Sequence, residues 1–292
     1  MDVAAVEQWE REYQVEVGDK NAVTLVVDCG GTGIKAGLVD CAGQLVGEPV
    51  RFPTPYPLSP ELLMSIIAGL VHGGLAHFAQ PEGLDLRILR VTVGLPGMIR
   101  HGVIVHTPHY ITNAGPHTAI VPELQAAWAG FDFQSALRQR LGLPVRVLND
   151  AELHGYGVIT GQGLELVLTL GTGLGSAWYD DGALAPHLEI SHAPVRLGAA
   201  MPGNEHGRQT ITYDGFIGDA ELRRLGVGHW SDRVEAAIAS LKPVFWWDRL
   251  YLGGGNSARI VELVARNLGD DVTIVPNESA LIGGAKLWHI QH

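Results

Sequence analysis

Two short stretches of this chain have the composition of an anion cradle. Asp28-Cys29-Gly30-Gly31-Thr32-Gly33 and Gly171-Thr172-Gly173-Leu174-Gly175 each follow a β-prone run, residues 23–27 and 166–170. Glycine lets successive backbone N–H groups converge on phosphate oxygens, and the hydroxyls of Thr32 and Thr172 add a donor at each turn. Asp28 would repel a bare phosphate. It makes sense facing a hydrated Mg²⁺ that bridges phosphate oxygens. One such turn alone reads as an ordinary tight hairpin. A repeated pair, joined by a third cluster at Gly253-Gly254-Gly255, points to phosphate chemistry. Neither a Walker A pattern nor the G-x-G-x-x-G dinucleotide pattern occurs at a strand-to-helix turn, which disfavours those phosphate sites.

Asp150 is the candidate general base. It ends the β-prone run 145–148, and a carboxylate there can take a proton from a bound hydroxyl while the amide of Asn149 holds a neighbouring one. An Asn-Asp turn, or a cap for the helix that follows, uses the same residues. Glu189 and His192 stand three apart. The Glu can accept from two vicinal hydroxyls, and the His can donate or accept. Glu221 offers a further carboxylate to the same pocket, or a solvated helix residue. A metal at Glu189 and His192 lacks a third ligand, and His106, His109 and His117 are irregularly spaced in a loop.

Several elements must position these groups. Residues 23–28, 34–39 and 44–46 read as three strands of an antiparallel meander with a turn at Asp40-Cys41-Ala42-Gly43. Residues 52–60 read as a proline-rich loop, 60–79 as a helix, 88–93 as a buried strand and 106–130 as a long loop. Helices are expected over 131–141, 231–245, 257–268 and 279–288, and strands over 145–148, 166–170, 176–179, 249–252 and 272–275. The strand, glycine turn, strand unit at 25–43, closed by Asp40-Cys41-Ala42-Gly43, recurs at 166–182, closed by Asp180-Asp181-Gly182. That separation of about 140 residues is too long for a solenoid. It suits two related lobes whose hairpins face a shared cleft. Residues 22–132, completed by a C-terminal helix at 279–292, are expected to form a smaller lobe. Residues 133–278 form the larger one, after a polar lead-in at 1–21.

The totals are compatible with this. A length of 292 residues suits two lobes. A net charge of −11 opposes nucleic-acid and anionic-membrane partners. No apolar run is long enough to span a membrane. The acidic start carries no signal-peptide core, and it is too short to hold a DNA-binding module with its linker. Two cysteines, Cys29 and Cys41, cannot build a disulfide framework or a four-cysteine zinc site, and they fit a reducing, cytoplasmic compartment.

The motifs in their order resemble those of the ROK family (repressors, open reading frames and kinases), over roughly residues 23 to 288. Asp28 to Lys35, with Asp40 and Gly43, resembles the first phosphate motif, and Asn149-Asp150-Ala151 the catalytic Asn-Asp-Ala. Leu170 to Ser176 resembles the second phosphate motif, Glu189-Ile190-Ser191-His192 the sugar-site Glu-x-x-His, and Gly253-Gly254-Gly255-Asn256 the adenosine-side turn. Gly94-Leu95-Pro96-Gly97 and Val275 to Ala280 are similar to the polyphosphate/ATP glucokinase branch.

The resemblance implies a two-lobed, actin-like ATPase fold of the α/β class, related to ribonuclease H. It implies transfer of a phosphoryl group from ATP or polyphosphate, with Mg²⁺, to a sugar hydroxyl, the glucose 6-OH. Asp150 would be the base. Asn149, Glu189, His192, Gly97 and Glu221 would lie on the sugar side. Asp28, Gly30, Gly31, Thr32, Lys35, Gly171, Thr172, Gly173, Gly175, Gly253, Gly254 and Gly255 would lie on the donor side. A homodimer is implied as well. The cysteine-rich zinc loop of many members has no counterpart here, so no structural zinc is expected. The segment after His192 and the Glu at 152 depart from the family pattern. An idle, sugar-sensing relative is the alternative to an enzyme.

Overall fold

The computed structural model describes residues 21–73, 78, 85–195 and 211–288. The expected lead-in, save Asn21, and the ends of the helices expected at 60–79 and 279–292 lie outside those residues. The chain divides into two compact units, Met1–Gly157 with Ala280–His292, and Val158–Ser279.

In the first unit β1 (Ala22–Cys29), β2 (Gly33–Asp40) and β3 (Leu45–Pro53) form the antiparallel meander. Its turn is held by the Asp40 carboxylate, which accepts the N–H groups of Ala42 and Gln44, with Gly43 at φ +80°. Ser59 caps α1 (Pro60–His72) by accepting the Leu62 N–H, a bond worth about 1 kcal/mol. Then come β4 (Arg87–Leu95) and the small hairpin β5 (Met98–Arg100) and β6 (Val103–His106). After them follow α2 (Pro122–Trp128), α3 (Phe133–Leu141), β7 (Val145–Asn149) and α4 (Asp150–Tyr156). The sheet order is β3-β2-β1-β4-β7, with β4 parallel to both β1 and β7. β1 is buried almost throughout because it is the central strand, covered on both faces.

In the second unit β8 (Leu164–Leu170), β9 (Leu174–Asp180) and β10 (Ala183–Leu184) repeat the meander. The turn between β9 and β10 places Asp181 and Gly182 at φ +46° and +82°, the two-residue form that matches strand twist. Next are α5 (Tyr213–Ile217), α6 (Asp219–Phe245), β11 (Arg249–Gly253), α7 (Glu262–Asn267) and β12 (Val272–Ile274). The order β10-β9-β8-β11-β12 is the order of the first sheet again, with β11 parallel to β8 and β12. The final helix, α8 (Ser279–Lys286), packs on the first sheet. Thr92 Oγ1 donates to the Gly284 carbonyl at 2.6 Å, and a Cβ on Gly283 would stand 2.0 Å from the Leu153 carbonyl. Only paired glycines allow so close an approach.

Several expected boundaries move. The unit boundary falls after residue 157 and not after 132, because β7 pairs with β4 and so belongs to the first sheet. The first unit is therefore the larger. The stretch read as a loop over 106–130 contains α2, anchored by the buried Trp128, whose Nε1 donates to the Leu58 carbonyl. α6 begins at Asp219, twelve residues before the expected start, and continues through a kink at Gly226, φ 75°. Glycines 226 and 228 masked it in the sequence. The helix expected at 257–268 is a 3-10 turn, Ser257–Arg259, followed by α7.

Candidate active site

The first glycine turn closes by a hydrogen bond from Gly30 N–H to the Gly33 carbonyl at 2.9 Å. Four successive carbonyls are then tied back. Tyr110 Oη donates to Cys29 O, Thr54 Oγ1 to Gly30 O, Tyr56 Oη to Gly31 O and Thr54 N–H to Thr32 O. With its acceptors occupied, the turn presents N–H groups, as an anion site must. Gly31 packs on the His109 ring, where a Cβ would come within 2.9 Å.

Asp28, next to last in β1, lies opposite Lys35 on β2, which is opposite Arg51 on β3. Burial pushes the Asp28 carboxyl up to about 6, against the opposing pull of Lys35 and Arg51. Its oxygens have no hydrogen-bond partner among the described residues. A half-buried carboxylate with raised pKa and open oxygens fits a hydrated Mg²⁺.

Asp150 is the first residue of α4. Across the sheet Asp28 is in register with Gly94, and Gly94 with Leu148, so the ends of β1 and β7 lie roughly 10 Å apart. Gly94 has no side chain because α4 begins against it, with Asp150 Cα 3.5 Å from where a Cβ would be. Burial pushes the Cys29 thiol and the Tyr110 phenol well up, and both Asp28 and Asp150 add to each shift. The two carboxylates thus share one neighbourhood.

Asn149 was expected to hold a sugar hydroxyl, but its side chain is engaged within the protein. Its Oδ1 accepts the Ala151 N–H at 2.8 Å, and its Nδ2 donates to the Gly97 carbonyl at 2.8 Å. Glu152, the departure noted above, completes a capping box by accepting the Asn149 N–H at 2.9 Å. Asn-x-x-Glu was legible as that box. Gly97, at φ +106°, sits against the His106 carbonyl, where a Cβ would be 2.3 Å away. Its part is to bring the β4 end under the Asn149 amide.

In the second unit Gly171 N–H donates to the Gly173 carbonyl at 3.0 Å. Asn256 N–H holds Leu170 O, Asn256 Nδ2 holds Gly171 O and Asp219 N–H holds Thr172 O. The Asp214 carboxylate accepts the Leu174 N–H at 2.7 Å and lies over Gly173. Gly254, at φ +86°, lets its turn lie on the Leu170 backbone, where a Cβ would be 2.5 Å from the carbonyl. The glycine clusters at 171–173 and 253–255 therefore meet. Gly175 lies within β9, paired with Thr169.

Glu189 precedes a 3-10 turn, Ile190–His192. Burial raises its carboxyl, but the His187 imidazole, the Ser191 hydroxyl and the nearby His192 outweigh that and leave it below the usual range. His192 is exposed. His187 and Ser191 were missed in the sequence, since spacing gives no sign of which side chains turn inward. Glu221, expected on the sugar side, is instead bound to Arg224 and to Arg233, at 2.6 and 2.7 Å. Residues 196–210, in the segment that departs from the family pattern, lie outside the described residues. Among the described residues no three His, Cys, Asp or Glu side chains cluster as metal ligands, and no helix is long and apolar enough to cross a membrane.

Two sheets of one topology, each with a hairpin whose glycine turn offers backbone donors, define a two-lobed phosphotransferase of the actin-like ATPase fold. The ROK family model matches residues 24–186, and the chain belongs to that family. It is similar to the polyphosphate glucokinase of Mycobacterium tuberculosis, with 28% identity over 89% of this chain and 88% of the relative. An inorganic polyphosphate/ATP-glucomannokinase from Arthrobacter sp. strain KM superposes with a TM-score of 0.68 and 31% identity, over 93% of this chain and 100% of the other. A ROK glucokinase from Streptomyces griseus, solved with glucose and AMPPNP, has a TM-score of 0.60 at 21% identity, over 91% and 98%. That last likeness bears on the fold alone.

Proposed function

We propose that the chain is a hexose kinase that moves a phosphoryl group from ATP or polyphosphate to the 6-hydroxyl of glucose. The observation that carries this is the placement of Asp150 at the start of α4, in one electrostatic neighbourhood with Asp28 beside a donor-rich glycine turn. Asp150 takes the hydroxyl proton as the sugar oxygen bonds to phosphorus and the bond to the donor's bridging oxygen breaks. The N–H groups of the glycine turns hold the donor's phosphate oxygens, and Lys35 and Arg51 favour negative charge near the first of them. Mg²⁺, when bound, would neutralise phosphate charge, and Asp28 is the residue that would hold it through water. Glu189 and His192 hold other sugar hydroxyls.

The two donors follow the relatives' names, and glucose follows theirs as well. A homodimer in the cytoplasm, with no nucleic-acid partner, accords with the family resemblance and the net charge of −11.

The test is turnover of the purified protein with Mg²⁺ and a hexose panel, ATP and polyphosphate offered separately, beside Asp150→Ala. Sugar phosphate made by the wild type and lost in the variant is the expected result. Sugar binding without turnover on either donor would leave a sensor.

A further inference from the structure

One oxygen of the Glu189 carboxylate accepts a hydrogen bond, and the other faces a buried imidazole that makes no hydrogen bond to it. Ser191 Oγ donates to Oε1 at 2.7 Å, and His187 Nε2 stands 3.5 Å from Oε2. The His187 side chain is 2% exposed, and Ser191 is buried. The backbone between them is fixed. Ser176 Oγ donates to the Leu188 carbonyl, His192 N–H to the Glu189 carbonyl and Ala193 N–H to the Ile190 carbonyl. Glu189 therefore cannot follow a displaced partner by moving its main chain.

A carboxylate has about four lone-pair sites over its two oxygens. Among the described residues, one hydrogen bond to Oε1 and one imidazole near Oε2 leave a lone-pair site on each oxygen without a protein donor, side by side, as two adjacent O–H donors require. We infer that His187 and Ser191 are positioning residues that hold Glu189 as a two-oxygen acceptor for a vicinal pair of sugar hydroxyls. The inference rests on the reading of Glu189 as the sugar-side carboxylate. Without both partners the carboxylate turns about its terminal bond, and one hydroxyl loses its acceptor. The lowered pKa of the half-buried Glu189 agrees, since these two partners, with His192, outweigh the burial.

The test uses the full chain with glucose and whichever donor supports turnover, reading the KM of each and glucose binding by calorimetry. Ser191→Ala is expected to weaken glucose binding about tenfold, the scale of a lost hydrogen bond to a charged group, and His187→Ala, which removes the buried imidazole facing Oε2, by a similar factor. The donor KM should stay within twofold, and His187→Gln, which keeps an N–H donor, should recover most of the loss. Glu189→Gln is the reference variant. If it weakens glucose binding while His187→Ala and Ser191→Ala do not, the positioning role is wrong and the reading of Glu189 stands. If Glu189→Gln binds glucose normally, that reading falls and the inference with it. Equal rises in glucose and donor KM would reduce His187 to a structural residue. Should His187→Ala fail to fold, His187→Gln at wild-type affinity and Ser191→Ala at reduced affinity support the inference, and Ser191→Ala at wild-type affinity overturns it.

Discussion

The two glycine turns close with the same hydrogen bond, at 2.9 Å between Gly30 and Gly33 and at 3.0 Å between Gly171 and Gly173, but they are held by different chemistry. Around the first, neutral hydroxyls of Thr54, Tyr56 and Tyr110 occupy the carbonyls, and the cations Lys35 and Arg51 lie beside Asp28. Around the second, Asn256 and the Asp219 backbone occupy the carbonyls, and the Asp214 carboxylate touches the turn. Both present N–H groups. Among the described residues, only the first adds positive charge. A repeated motif thus fixes the backbone geometry and leaves the electrostatics to whatever packs around it.

The sharpest way to break this contrast is Asp28→Asn. Loss of the carboxylate should lower kcat about 10³-fold, the scale of one well-placed electrostatic group. Glucose affinity by calorimetry should stay within twofold; a parallel loss of glucose binding would move Asp28 to the sugar side.

Glycine replacements come next. Gly254→Ala should cost about 3 kcal/mol or more, read from the urea midpoint, because φ is +86° and the obstacle is the Leu170 backbone. Gly31→Ala should cost only about 1 kcal/mol, since its neighbours are the His109 and Pro116 side chains, which can shift. Equal losses would mean that the two turns are equally rigid.

Smaller effects should separate the surroundings. Tyr56→Phe removes the donor to the Gly31 carbonyl, costs about 1 kcal/mol and should raise the donor KM about fivefold. Asp214→Asn keeps an acceptor for the Leu174 N–H but removes the charge, so the donor KM should fall about twofold. A rise instead would show that the carboxylate serves the donor.

A last contrast is in stability against pH. The Asp28 carboxyl lies at about 6 in the folded protein and at 3.8 for the free side chain. Between those values the folded state holds the proton more firmly, so stability falls as pH rises through the window and stays lower above it. Asp28→Asn should therefore melt a few degrees above wild type at pH 8, with the gap closed near pH 4. An equal gap at both pH values would exclude ionisation of Asp28 as the cause.

Much of this was legible in the residues. The two meanders, their turns at Asp40-Cys41-Ala42-Gly43 and Asp180-Asp181-Gly182 and the strand that delivers Asp150 follow from alternating β-branched runs and from glycine at the turns. Boundaries were less so. Gly226 and Gly228 hid the first half of α6, and the proline- and glycine-rich 106–130 stretch hid a helix held by the buried Trp128. On the sugar side, residue type and spacing offered Asn149, Glu189 and His192, with Glu221 as a further carboxylate or a solvated helix residue. The structure ties Asn149 and Glu221 to internal partners and brings His187 to Glu189.

The sequence by itself determined the duplicated topology and the positions of the glycine turns, because backbone conformation responds to local residue type. The tertiary structure alone decided which polar groups, backbone or side chain, remain open to a ligand. That depends on partners far along the chain, such as Tyr110 for Cys29 and Arg233 for Glu221, which no local pattern encodes.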